Sequence, residues 1–297
     1  ITAVAFAPDG DSVVAASQFG LYIFDWPDLR RQRTIECSPS NLHCLAFSPS
    51  ADLLAVGGGD PAENGSVEIF SWPAAKRVTT LADHEDSVRA IAWQSSTRLM
   101  SASFDREIAL WDTGRLTLTE PPPRNERARV RTFKGHSRSV SSVCLLKDGT
   151  ILVSAGDDQS VRVWDVESGE LIRSLDQHTG VVHNLAVRRS HDGLPMVASA
   201  AADRTIRFWQ PTIGRMVRYI RLDAEPLDIA WLNDGTQLMA ACVDGHIRVV
   251  NADEVRVAQT VPAIKGWAYA IAVHPSDDSV VVAGTNGQIR RIELRLP

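Results

Sequence analysis

The chain has 297 residues, 44% of them hydrophobic and 23% charged, enough apolar material for a large core in an ordinary soluble protein. A formal net charge of −5 gives no basic footprint for nucleic acid, and no apolar run approaches the roughly 18 residues of a membrane span. Four scattered cysteines, Cys37, Cys44, Cys144 and Cys242, exclude a disulfide framework and a paired metal site, with a Cys37–Cys44 bridge the one pairing left to consider.

Length alone suggests about two domains, yet all-β arrays of this size commonly form one. The first residue, Ile1, already lies in a strand pattern and no initiator Met precedes it, so a piece of a longer or processed protein is expected. Nothing at the start resembles a signal peptide, and the cytoplasm is the favoured compartment. Four of the 31 basic residues are lysine and the rest arginine, a skew expected of a GC-rich, bacterial genome more than of a function.

In chain order, ITAVAFAPDGDSVVAASQFGLYIFDW holds three alternating runs separated by turn residues, and RQRTIE adds a fourth. A second copy begins near Asn41, with an insertion DPAENGS and GGGD (57–60) read as a strand-to-strand turn. The third, HEDSVRAIAWQSSTRLMSASFDREIALWD, is interrupted by GRLTLTEPPPRNERA (114–128) before ARVRTFKG. The fourth, Gly135 to Leu175, is the clearest: four short strands with a turn after each. A fifth runs from His178, a sixth from Glu225 and a seventh from Lys265. Aligning Phe24, Phe70, Trp111, Trp164, Trp209, Val250 and Ile292 gives steps near the period of about 40 to 45 residues typical of propeller blades, with one longer step at the 114–128 insertion. No helix is expected. Such a unit cannot bury both faces alone, so its copies must stack.

Three copies share one residue set: His84, Ser101, Asp105 and Trp111; His136, Ser154, Asp158 and Trp164; His178, Ser199, Asp203 and Trp209. Ser, Asp and Trp keep the same spacing each time. On these residues the chain resembles the WD-repeat (WD-40) β-propeller family over essentially its whole length. The resemblance implies an all-β, seven-bladed propeller of four-stranded antiparallel blades. It would form a single unit over 1–297, with blades at about 1–37, 38–83, 84–135, 136–177, 178–223, 224–263 and 264–297. The first, second, sixth and seventh copies depart from the signature, with Phe24, Phe70, Val250 and Ile292 in place of Trp. The seventh ends after its third strand and is expected to be three-stranded, its free edge open to strand addition.

Recurring Ser, His and Asp suggest a hydrolase triad, but a set repeated three times supplies no unique nucleophile or oxyanion hole. The resemblance implies a buried hydrogen-bonded network instead. His84, His136 and His178 fall one per blade, too far apart to share a metal ion, and His183 and His191 have no Cys or carboxylate at ligand spacing. No phosphate loop is present, so no cofactor or metal is expected. Pro121 to Pro123, followed by Arg124, Arg127, Arg129 and Arg131, form a Pro-rich basic insertion that can dock a partner but reads more simply as a solvated loop.

Aligned on the fourth unit, Thr2, His43, Arg89, Ser141, His183, Leu227 and Tyr269 share one position where the innermost strands begin, at the rim of the central channel. The resemblance places peptide and protein contacts there. Arg89, Phe104, His183, Trp267 and Tyr269 are the candidate partner-binding residues, since Trp, Tyr and Arg dominate interface energies. The expected function is a non-enzymatic scaffold for proteins or peptides, monomeric as an isolated domain, within a larger protein. The alternative is a propeller that binds a small ligand or catalyses at the channel mouth through His43, Arg89 and His183.

Overall fold

The computed structural model describes residues 1–115, 128–146, 148–188 and 193–294. Its strands form seven antiparallel sheets, six four-stranded and the last three-stranded, each with its strands in sequence order. Among the described residues the only helical pieces are 3₁₀ turns such as Thr113–Arg115 and Pro211–Ile213, and no helix is long and apolar enough to cross a membrane.

The fourth blade shows why these residues fold this way. Its strands are Val140–Leu145, Ile151–Gly156, Val161–Asp165 and Leu171–Leu175. The second strand is covered on both faces and is therefore apolar almost throughout, whereas four of the five residues of the outer strand face water and are mixed. The core lies between blades. Val153 and Val163 of the fourth pack with Leu185 and Trp209 of the fifth, and Phe208 of the fifth packs with Ile229 and Trp231 of the sixth. A blade without neighbours would expose both of these faces.

The reading of GGGD as a turn is corrected. Gly57 to Asp60 belong to the strand Leu53–Asp60, which pairs with Asn64–Ser71 as far as Asp60 opposite Asn64. The insertion lengthens the hairpin on the side of the tight turns. Backbones press so closely there that a Cβ on Gly59, at φ +150°, would stand 2.1 Å from the Asn64 carbonyl oxygen.

Arginines on the outer strands latch four of the blades, the first, third, fourth and fifth, to the next. Arg33 donates to the Pro73 and Ala74 carbonyls, Arg131 to Ser168 O at 2.7 Å, Arg173 to Thr212 O at 3.3 Å, and Arg218 to Ala252 O and Asp253 O at 3.0 and 2.8 Å. Each acceptor lies in or beside the connection between third and fourth strands of the following blade, where carbonyls have no ladder partner. Arg218→Met keeps the stem and removes these bonds. It is expected to cost about 1 kcal/mol, seen as a lower urea midpoint at unchanged slope; an unchanged midpoint would make the latch decorative.

First and last blades meet without sharing a strand. The Ile1 nitrogen donates to Gly284 O at 3.2 Å, and His274 Nε2 to Gly10 O at 3.2 Å. Phe6 stands edge-on to Trp26 and His274 at 4.8 and 5.0 Å, and Arg291 lies over Trp26 at 5.4 Å. The seventh sheet comprises Ala268–Val273, Val280–Gly284 and Ile289–Ile292, leaving the last of these as its edge.

Candidate functional site

The three Ser-His-Asp sets are joined within the blades. In the fourth, His136 Nδ1 meets Asp158 Oδ2 at 2.9 Å and its Nε2 meets Ser154 Oγ at 2.7 Å, while Trp164 Nε1 donates to the same Oγ at 2.8 Å. The third repeats this with His84, Ser101, Asp105 and Trp111, and the fifth with His178, Ser199, Asp203 and Trp209. The serines are fully buried, with each Oγ also accepting the indole N–H, so no substrate reaches one as a nucleophile. Burial would raise the Asp203 carboxyl, but bonds from Thr205, His178 and the Thr179 amide outweigh it and hold it at about 2. Burial chiefly, with the Arg207 charge, keeps His178 below the ordinary imidazole value despite Asp203. The acid is thus a fixed anion and the histidine a neutral spacer.

The sixth blade has another solution. Asp223 takes the place of the histidine, and Arg248 bridges Asp223 at 2.8 Å and Asp244 at 2.7 Å. In the seventh, the Gln288 side chain stitches the turn, donating to Lys265 O and Thr285 O, each at 3.0 Å, and accepting from Lys265 N at 3.2 Å.

The rim has a structural basis that residue types do not announce. In five blades Arg89, Ser141, His183, Leu227 and Tyr269 are skipped by the register between first and second strands, so each is the extra residue of a β-bulge. Bulges re-aim side chains out of the pleat and recur beside functional sites. Thr2 and His43 come just before the first strands of their blades, bonded through N–H to Ala16 O and Gly57 O. Two of the seven side chains are spent on the fold: Thr2 donates to Leu42 O at 2.6 Å, and Ser141 to Val182 O, each on the following blade.

The five candidate residues fall into three groups. Arg89 lies over Phe104, 5.0 Å from its ring centroid, with Nη1 3.2 Å from His43 Nδ1. His183 stands apart, its Nε2 2.6 Å from Glu225 Oε1. Trp267 and Tyr269 form a pair with centroids 5.7 Å apart, and they are 50% and 37% exposed. Trp267 therefore does not cap a core, since half of it meets solvent. The carboxylate beside His183 comes from the next blade, since Glu225 lies 42 residues on and outside any ligand spacing in the sequence. His191 lies outside the described residues.

Below the rim, Asp228 accepts from Ile229 N at 2.9 Å and from Ile271 N of the seventh blade at 2.8 Å. Burial pushes its carboxyl up to about 7 against these two bonds. The opposite mouth holds a cavity of about 1090 Å³ lined by the far ends of all seven innermost strands, with Phe6, Phe47, Trp93 and Trp231 among them. Trp93 and Trp231 are pinned through Nε1 to Ala46 O and Ala186 O of the preceding blades. Sequence reasoning missed this mouth, although these residues recur four positions after the rim residue of their blades.

All four cysteines are free, so no Cys37–Cys44 bridge forms, and burial first of all pushes each thiol up to about 12. Among the described residues no cluster of His, Cys, Asp or Glu is placed to hold a metal ion. Most of the Pro-rich insertion, with Pro121 to Pro123, Arg124 and Arg127, lies outside the described residues. Arg129 and Arg131, grouped with it by sequence, belong to the outer strand of the third blade; Arg129 there bridges Asp83 and Glu107, each at 2.7 Å.

Known proteins share this pattern. A family model described as WD domain, G-beta repeat, matches residues 127–165 and 169–210, and one for the DDB1- and CUL4-associated factor 12 beta propeller matches residues 23–134. The nuclear distribution protein nudF of Aspergillus niger is 29% identical over 197 residues, covering 65% of this chain and 41% of that protein. The anaphase-promoting complex subunit cdc20 of Dictyostelium discoideum is 26% identical over 294 residues, 93% of this chain and 54% of that one. WD repeat-containing protein 1 of Gallus gallus is 22% identical over 316 residues, 92% and 50% of the two chains. The chain spans about half or less of the length of these relatives. With its seven sheets, three signature networks and these matches, the chain belongs to the WD-repeat β-propeller family.

Proposed function

We propose that this propeller is a non-catalytic scaffold that receives peptides or protein domains on the rim where the innermost strands begin. The observation that carries this reading is the Trp267–Tyr269 pair, two large rings left in solvent on a bulged strand beside the channel. Exposed aromatic pairs on a rigid framework are strong anchors for a partner. The named relatives, a nuclear distribution protein and a subunit of the anaphase-promoting complex, are in keeping with a role in assemblies. Catalysis at the channel mouth finds less support, because His43 and His183 do not converge: one is bonded to Arg89 and the other to Glu225.

Affinity capture with the intact protein and with Tyr269→Ala and Trp267→Ala tests the reading. Both variants should keep the parent's melting temperature and lose captured partners by roughly tenfold or more. Unchanged capture by folded variants would remove the rim patch, and turnover of a small molecule without any captured protein would overturn the scaffold.

A further inference from the structure

Arg89 is a charge without a counterion. As a residue it is half-buried, but its Nε is shut off from water and bonds to nothing. Nη1 donates to His43 Nδ1, and among the described residues nothing accepts from Nη2. His43 supplies no charge, because burial first, and then the Arg89 cation, push its imidazole down to about 4. Two carboxylates act on this corner from a distance: Asp157, from the fourth blade, favours the Arg89 cation, and Asp86 acts on His43. Neither makes an ion pair with Arg89 among the described residues, and Asp86 accepts instead from the Ala62 and Ser87 amides at 3.0 and 2.7 Å. The Cys44 thiol beside it is held neutral by burial.

The two buried arginines among the described residues, Arg188 and Arg248, and half-buried Arg207 are each held by acid. Arg188 pairs with Asp253, Arg207 with Asp203, and Arg248 with Asp223 and Asp244. Buried charges are paired as a rule, because desolvation is costly and only a counterion repays it. At Arg89 that counterion is missing, on a bulge that turns the side chain toward the channel rim, under the face of Phe104.

We propose that Arg89, braced by His43 and stacked on Phe104, is an anion subsite for an acidic group of a docked peptide, a carboxylate or a phosphoryl. The proposal rests on the rim being a peptide-docking face and names the chemistry one part of it takes. The unbonded Nη2, which unlike Nε is not closed off from solvent, is the donor that meets such an anion through a charge-assisted hydrogen bond. Trp267 and Tyr269 would anchor the apolar part of the same ligand, and Arg89 would fix its register by charge.

The test uses the intact protein and two simple probes, inorganic phosphate and acetate, at constant ionic strength, followed by the Arg89 Nε–H and Phe104 resonances in solution NMR. Saturable displacement of both signals is expected. A response to phosphate alone assigns the subsite to phosphoryl groups, and a response to acetate as well assigns it to acidic side chains generally. Arg89→Met should weaken the response by about tenfold or more while melting no lower than the parent, since it removes an uncompensated charge; Arg89→Lys should keep the charge but lose phosphate selectivity. No saturable displacement, an equal response in Arg89→Met, or a clear loss of stability in that variant would each overturn the subsite. Absence of an anion response together with loss of capture in Tyr269→Ala removes the subsite and leaves the docking face. An anion response with unchanged capture supports the subsite and removes the face.

Discussion

Ser154→Ala, which deletes one oxygen, is expected to destabilise the protein by about 2 to 5 kcal/mol. The Asp158 carboxyl lies below the ordinary carboxylate range although burial alone would raise it, because His136, Ser160 and the Ser137 amide bond to it. It is therefore an acceptor, and His136 must donate to it through Nδ1, which leaves Nε2 as an acceptor. Ser154 then gives its proton to Nε2 and receives the Trp164 N–H on its lone pair, so one hydroxyl serves two buried groups. Alanine opens almost no cavity but leaves both without partners. Each costs about 1 to 3 kcal/mol to strand in the interior. Urea unfolding followed by tryptophan fluorescence reads the loss directly. Ser168→Ala, at an exposed turn, is the control and should change stability by less than about 0.5 kcal/mol. A loss below about 1 kcal/mol in Ser154→Ala would show that the network carries little of the blade's stability.

Asp228→Ser is expected to act in the opposite direction, and only away from acid. Burial holds the folded carboxyl at about 7, above its unfolded value of about 4. The folded chain thus binds this proton more tightly between those values. Its relative stability is greatest below about pH 4, falls as pH rises through 7, and is flat beyond. Serine removes the charge and can keep the junction, because Ser142 at the equivalent position already accepts the Leu185 amide at 3.1 Å, as Asp228 accepts that of Ile271. The variant should gain about 2 to 4 kcal/mol near pH 8, shrinking toward nothing by about pH 4. Urea midpoints across that range measure it. A gain independent of pH would show that Asp228 does not titrate in the fold.

The seven units were legible because the distance from Ser through Asp to Trp is set inside one blade by two strands and one tight turn. Where that set decays, reading by residue identity fails even though position survives. Asp223 lies as far before Asp244 as His84 does before Asp105, so the offset marks the substitute network that the missing histidine conceals. Contacts between blades are harder to see. His183 and Glu225 are separated by nearly one whole repeat, and nothing local to either names the other. The bulges at Arg89, His183 and Tyr269 leave no residue signature, since the extra residue is recognised by its pairing and not by its type. The arginine excess was read as genome composition, yet Arg33, Arg131, Arg173 and Arg218 recur at one place on the outer strands and do one job.

The joint between the first and seventh blades has a mechanical consequence for the whole disc. Among the described residues, that joint is carried by packing near Phe6, Trp26 and His274 and by a few bonds such as that from Ile1 to Gly284. A closed ring braces every member on two sides, and parting one joint leaves two end members braced on one. The contacts that join the first blade to the seventh thus act like the clasp of a bracelet, and a change at Phe6 or His274 is felt by both end blades at once.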